Sequence, residues 1–254
     1  MRKIQRYGWK RDSLDRRDQY LATAAPRVVL PTAFDLRSTG FLPPVYDQGQ
    51  LGSCTANAIA AAVDFERKKQ GEAFLTPSRL FIYYNERVIE GDPLQDNGAE
   101  IRDGIKSVAS QGVCSEAEWP YVESQFAVRP TVQMYADATK FTTLQYSAVT
   151  QDPYFIKHCI SMLGRPVVFG FSVFDEFESD DVAASGVVPM PADASAPIGG
   201  HAVQAVGYSD PVQRFLCRNS WGASWGLGGY FWLPYAYMLD PTMANDFWVI
   251  QAES

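Results

Sequence analysis

With 254 residues, 46% of them hydrophobic and 20% charged, the chain can bury one large core or two small lobes and is not a disordered segment. A net charge of −7 argues against nucleic acid as the main partner. The four cysteines (Cys54, Cys114, Cys159, Cys217) are far apart with no Cys-x-x-Cys pair, so a zinc site, another metal or cofactor, and a disulfide framework are not expected.

The charge is uneven. Residues 1–30 hold eight Lys/Arg against Asp12, Asp15 and Asp18, a balance of +5, which leaves −12 for the remainder. Such a leader would be drawn to the acidic body. No apolar stretch follows its basic start and none approaches 18 residues, so neither a Sec signal nor a membrane span is predicted, and the compartment stays open. From Pro31 to Val45 three prolines predict extended chain with turns. A glycine-marked loop, Gln48 to Ser53, then leads into a long helix from Cys54 to Gly71, with Ser53 as N-cap. Its first half is small and apolar, which suits a helix at the centre of a domain. A second helix is expected from Thr76 to Ile89, a loop over 92–98, an amphipathic helix from Ala99 to Ser110 and a short one within Pro130–Lys140. Then the pattern changes. Strands are predicted over 141–149, 166–173, 200–207, 214–219, 229–233 and 247–251, with a helix over 152–163. A helical first half, about 41–135, and a strand-rich second half, about 136–246, imply an α+β arrangement of two lobes with a cleft between them.

Cys54 falls in the first turn of the long helix, where free N–H groups and the macrodipole favour a thiolate. A buried cysteine is equally ordinary in an alanine-rich core helix, so its partners decide. Only two histidines exist. His158 adjoins Cys159 on a helix, where neighbours do not face each other, and reads as a surface or edge residue. His201 follows Gly199 and Gly200 and opens an apolar strand. Asn219 ends the next strand, beside Trp221, and adjacent antiparallel strands would set it next to His201. The three form a Cys–His–Asn constellation for nucleophilic catalysis. Trp225 to Tyr230 superficially suggests a phosphate loop but lacks the Lys-Ser/Thr and the helix that would follow.

These motifs, in this order from about Pro31 to the C-terminus, resemble the papain-like cysteine peptidases: Gln48 to Cys54, Gly199-Gly200-His201-Ala202, Asn219 to Gly222 with Trp225-Gly226, and Gln111 to Tyr121. The resemblance implies a papain-like two-lobe fold, a central nucleophile helix facing a β-barrel-like lobe. It implies Cys54 as nucleophile, His201 as base and later acid, Asn219 as its orienter, and Gln48 with the Cys54 N–H as the oxyanion hole. Gly52, Gly98, Ala99, Gly200 and Trp221 would bind substrate, a peptide or protein, and a monomer is expected. Asn245 or Asp246 would lie at the base of the main specificity pocket. The chain departs from the family at Leu51 and Thr55, where cysteine and tryptophan are usual, and at Ala99 in place of a second glycine. Tyr7-Gly8-Trp9 and Arg17-Asp18 resemble elements of a bacterial branch with a short leader, so residues 1–30 are expected to act as an intramolecular inhibitor anchored by Tyr7, Trp9 and Tyr20. The alternative is a non-proteolytic binding protein on the same scaffold, which would not need all four site residues.

Overall fold

The computed structural model describes residues 6–21, 27–73, 75–141 and 144–252; residues 1–5 and 22–26 of the expected leader and 142–143 of an expected strand lie outside them. In chain order come β1 (Trp9–Lys10), β2 (Ala33–Asp35), α1 (Cys54–Lys69), α2 (Arg79–Ile89), β3 (Ala99–Glu100), α3 (Ile101–Gln111) and α4 (Val132–Ala138). There follow β4 (Leu144–Ala148), α5 (Pro153–Ser161), β5 (Val167–Val173), α6 (Asp180–Ser185), β6 (Gly199–Ser209), β7 (Arg214–Arg218), β8 (Tyr230–Pro234), α7 (Tyr235–Met238) and β9 (Ala244–Ala252).

From Cys54 to Glu66 α1 is buried without a break. Its alanines let α2, α3 and β6 close on it from several sides. Ser53 stands at the N-cap, yet its hydroxyl bonds Tyr121 Oη at 2.6 Å and receives Asn57 Nδ2 at 3.1 Å instead of capping the backbone. The second helix starts later than expected because Ser78 is the cap, its Oγ accepting the Phe81 N–H at 3.3 Å, while Pro77 pairs with Ser115. Ala99 and Glu100 are strand rather than helix, since they pair with Trp9 and Lys10 of the leader.

The main sheet runs β4-β9-β5-β6-β7-β8, with β2 on the free stretch of β6; each pairing is antiparallel, and the sheet stays open instead of closing into a barrel. One core gathers on it around Phe169, Phe171, Phe177, Phe215 and Phe231. A second lies under α1, around Ile59, Phe81, Tyr83, Ile105 and Val108. β6 serves both cores because its side chains alternate: Ala202 belongs to the helical core and Val203 and Ala205 to the sheet core. Gln204 ties β6 to α1 through its Nε2–H, given to the Ala58 carbonyl at 2.9 Å. The opening residues of α1 and β6 are thereby held together.

Candidate active site

Cys54 opens α1 with its thiol wholly buried, and the backbone N–H groups of Ala202, Gly8 and Thr55 point at the sulfur. His201, next to Ala202, meets Asn219 through Nε2 at 2.8 Å. The Asn219 Oδ1 also accepts the Ser220 N–H at 2.8 Å, which fixes the oxygen, not the amide nitrogen, toward the imidazole. Nε2 must then carry the proton, leaving Nδ1 with the lone pair. The rings of Trp221, Phe171 and Phe177 lie 5.1, 5.7 and 6.4 Å from the imidazole and keep water off this bond. Antiparallel pairing of β6 with β7, Gln204 opposite Arg218, brings the start of one strand to the end of the other.

Gln48 is gripped at both ends of its amide. Its Oε1 accepts the Ser220 hydroxyl at 2.6 Å and its Nε2 donates to Leu51 O at 3.0 Å, while its own N–H donates to Ser220 O at 2.9 Å. One Nε2 proton remains to serve beside the Cys54 N–H, a helix N-terminal donor. The elements that carry Cys54, His201, Asn219 and Gln48 thus converge. Among the described residues no group of three or more His, Cys, Asp or Glu is placed to hold a metal ion.

The electrostatics depart from the local expectation. A thiol at a helix N-terminus should be acidified, but burial pushes the Cys54 thiol up to about 12 despite the N–H groups aimed at it. Burial also holds His201 down at about 4, against the pull of its bond to Asn219. The leader adds to this burial. β1 pairs parallel with β3, Trp9 opposite Ala99, and the Ala99 N–H donates to Gly8 O at 2.7 Å. A Cβ on Gly8 would overlap the Gly52 carbonyl, and one on Gly98 would overlap Gly8 itself, so three glycines allow backbone to lie on backbone. Trp9 rests on Gly170 and Gly200; Tyr7 rests on Gly199 and gives its hydroxyl proton to Glu178.

Of the expected substrate-binding residues, Gly52, Gly98, Ala99 and Gly200 all meet the leader. Trp221 instead packs on His201 and borders a shallow recess with Asp180 and Trp225. His158 lies half-buried in the last turn of α5, its ring 5.8 Å from that of Tyr154. Tyr20, expected as an anchor, is 65% exposed, although its backbone bridges Ala148. The expected attraction of a basic leader to an acidic body is only half the arrangement. Lys10 meets Glu90 at 2.6 Å, but Asp18 and Asp15 of the leader meet Arg102 and Lys106 of the body at 3.0 and 3.3 Å. Sequence reasoning gave Gly8 and Ser220 no role of their own and missed Gly170 and Asp96, whose Oδ1 accepts the Gly52 N–H at 2.9 Å. A glycine flanked by two aromatics was the one available signal for Gly8.

A sulfur at a helix start, facing a strand that carries a histidine bonded to asparagine, is the arrangement that the resemblance to cysteine peptidases implies. The chain belongs to the papain family of cysteine proteases, hydrolases of peptide bonds, whose family model matches residues 30–244. It is 45% identical over 241 residues to an uncharacterized peptidase C1-like protein of Acanthamoeba polyphaga mimivirus, covering 91% of this chain and 77% of the viral one. The crystal structure of xylellain, a cysteine protease from Xylella fastidiosa, matches with a TM-score of 0.91 and 42% identity over 100% of this chain and 98% of that one. Pro-cathepsin H of Medicago truncatula is 29% identical over 213 residues, which are 80% of this chain but only 57% of the plant protein.

Proposed function

We propose that the protein is a cysteine endopeptidase acting on peptides or proteins as a monomer, with residues 31–254 as the peptidase domain and residues 1–30 as an inhibitory leader. Cys54 sulfur, its proton passed to His201 Nδ1, attacks the scissile carbonyl carbon. The oxyanion takes hydrogen bonds from the Gln48 Nε2–H and the Cys54 N–H. His201 then protonates the leaving amine as the C–N bond breaks, leaving a thioester on Cys54. Water, deprotonated by His201, hydrolyses the thioester and returns the thiol. Asn219 keeps the imidazole in the tautomer that frees Nδ1. The carrying observation is the His201–Asn219 bond at 2.8 Å, its acceptor fixed by the Ser220 N–H, on the strand whose Ala202 N–H meets the Cys54 sulfur.

The leader blocks this cycle by lying over the nucleophile, with the Gly8 N–H turned to the sulfur. Hydrolysis of dipeptidyl fluorogenic amides under reducing conditions tests both parts, using the full chain, the chain lacking residues 1–30 and Cys54→Ala in each. Turnover that rises on truncation and vanishes with Cys54→Ala supports the reading. Absence of turnover in a folded truncated chain, with Cys54 unlabelled by an epoxide, would favour a binding protein.

A further inference from the structure

Asn219 borders a small cavity between α1 and the sheet, which Asn57 and Ala61 line from one side and Gln204 and Ser220 from the other. It leaves about 10 Å³ for the centre of a water-sized sphere, about the least that holds one water molecule. Two polar atoms of its lining residues are buried and, among the described residues, have no hydrogen-bond partner: Asn219 Nδ2 and Gln204 Oε1. Which atom is left over follows from what each amide does with its other end. The Ser220 N–H can only donate, so the Asn219 oxygen faces it at 2.8 Å and the nitrogen is turned away. The Ala58 carbonyl can only accept, so the Gln204 nitrogen faces it at 2.9 Å and the oxygen remains. One donor and one acceptor are thus stranded on the walls of one cavity, on residues only 2% and 1% exposed.

Each stranded group alone would carry a desolvation penalty, and buried polar groups in native proteins are met by protein or by ordered water. A single water meets both: its oxygen accepts an Asn219 Nδ2–H and one of its hydrogens goes to Gln204 Oε1. The consequence reaches the site, because Asn219 Oδ1 is the atom that meets His201 Nε2 at 2.8 Å. Turning the carboxamide off the imidazole would then break the hold on Nδ2 as well as the Ser220 bond. We infer that this cavity binds one structural water, and that Gln204, acting through it, is a positioning residue for the Asn219–His201 pair. The positioning role rests on the peptidase reading above; the water site does not. No leader residue lines the cavity, so it serves the docked and the withdrawn states alike.

A high-resolution crystal structure of the full chain tests the site: a water oxygen should lie within about 3.2 Å of both Asn219 Nδ2 and Gln204 Oε1. No water there, or one that reaches only one of the two atoms, overturns the inference. Two variants test the role. Gln204→Leu removes the acceptor, and Ala61→Val fills the cavity from α1 while leaving the Gln204 bond to Ala58 in place. In full-length Gly8→Ala, which unseats the leader, each should lower kcat on dipeptidyl fluorogenic amides about tenfold or more, the scale of one hydrogen bond to a charged group. KM should stay within about twofold, since neither residue meets substrate. Both losses should shrink to within about twofold when Asn219→Ala is added, as coupling through Asn219 requires. A loss that persists there is packing damage and rejects the positioning role, as does an unchanged kcat in both variants. If Gln204→Leu does not fold, Ala61→Val decides. If Cys54 labels with an epoxide but no amide turns over, the same ratios are read from labelling rates. No turnover and no labelling in Gly8→Ala overturns the peptidase reading and the role with it, while the water site is decided by the crystal structure.

Discussion

Gly8→Ala should activate the protein, although a methyl group added at a packed site ordinarily does harm. The new Cβ would overlap the Gly52 carbonyl oxygen and lie 2.8 Å from Gly52 Cα, closer than real Cβ atoms approach, and no side chain is there to rotate away. Gly52 cannot yield, because its N–H is held by Asp96 Oδ1 at 2.9 Å and it leads directly into α1. The leader must therefore retreat, losing the Ala99 N–H to Gly8 O bond of 2.7 Å and the Gly8 N–H contact with the sulfur. One hydrogen bond at about 1 kcal/mol and an overpacking cost of about 1–3 kcal/mol amount to roughly 2–4 kcal/mol of lost docking. That raises the open population by roughly one and a half to three powers of ten, up to complete opening. The assay is the rate at which an epoxide labels Cys54 at neutral pH under reducing conditions, followed by peptide mapping. Cys114, Cys159 and Cys217, all buried elsewhere, provide internal controls. A labelling rate unchanged from the parent, with the fold intact, would refute the placement of Gly8 over the nucleophile.

Docking of the leader should weaken as pH rises. Burial, and then the charge of Asp246, pushes the Asp12 carboxyl up to about 7, against the opposing Arg102 N–H, Trp248 Nε1–H and Arg102 charge; Asp246, facing Arg11 and Glu100 as well, is also raised. Because the docked value exceeds the free one of about 4, docking is strongest below pH 4 and is lost by up to about 1.4 kcal/mol per unit as pH climbs to 7. Hydrogen-exchange protection of the Trp9 and Lys10 amides, corrected for intrinsic rates, should fall over this range, and Asp12→Asn should flatten the profile. Gln48→Ala should lower kcat about a hundredfold or more in the leader-free enzyme with little change in KM, as loss of an oxyanion donor does. Arg87→Met should destabilise the fold by at least about 3 kcal/mol in urea unfolding, since its guanidinium donates to Tyr83 O, Pro93 O, Gln95 O and Phe126 O and its loss strands buried carbonyls around the Gly98 loop.

The proposed constellation of Cys54, His201 and Asn219 was drawn from residue order because each member sits in a short motif, and the structure sets Asn219 Oδ1 2.8 Å from His201 Nε2. Two histidines narrow the choice of base, and only His201 follows a glycine pair into a strand. Long elements were equally legible: α1 from its uniform small residues, β5 and β6 from their apolar runs. What failed was the local detail that a distant partner imposes. Ala99 and Glu100 read as helix because nothing nearby says that Trp9 and Lys10 will pair with them. Asp246 carries no mark of its left-handed backbone, since the bulge that imposes it belongs to the pairing with β5. A helix end and a leader anchored by Tyr7 and Trp9 were visible in sequence, but the depth at which the sulfur is buried was not.

The depth of that burial bears on how Tyr7 to Trp9 would silence a cysteine peptidase. A long domain laid over a cleft excludes substrates by bulk; three residues, Tyr7 to Trp9, exclude little by bulk alone. Their effect on the chemistry is larger. They add to the burial that sets the two pKa values apart, the thiol up to about 12 and the imidazole down to about 4. Proton transfer from sulfur to nitrogen is then uphill, and the pair rests neutral. Even a reagent small enough to slip past the leader would meet a thiol rather than a thiolate. Withdrawal reverses both terms at once: solvent returns to the imidazole, and the N-terminus of α1 is left to favour the anion it was positioned to hold. Release of the leader and activation of the nucleophile are on this argument one event, which is why a single glycine, Gly8, can govern both.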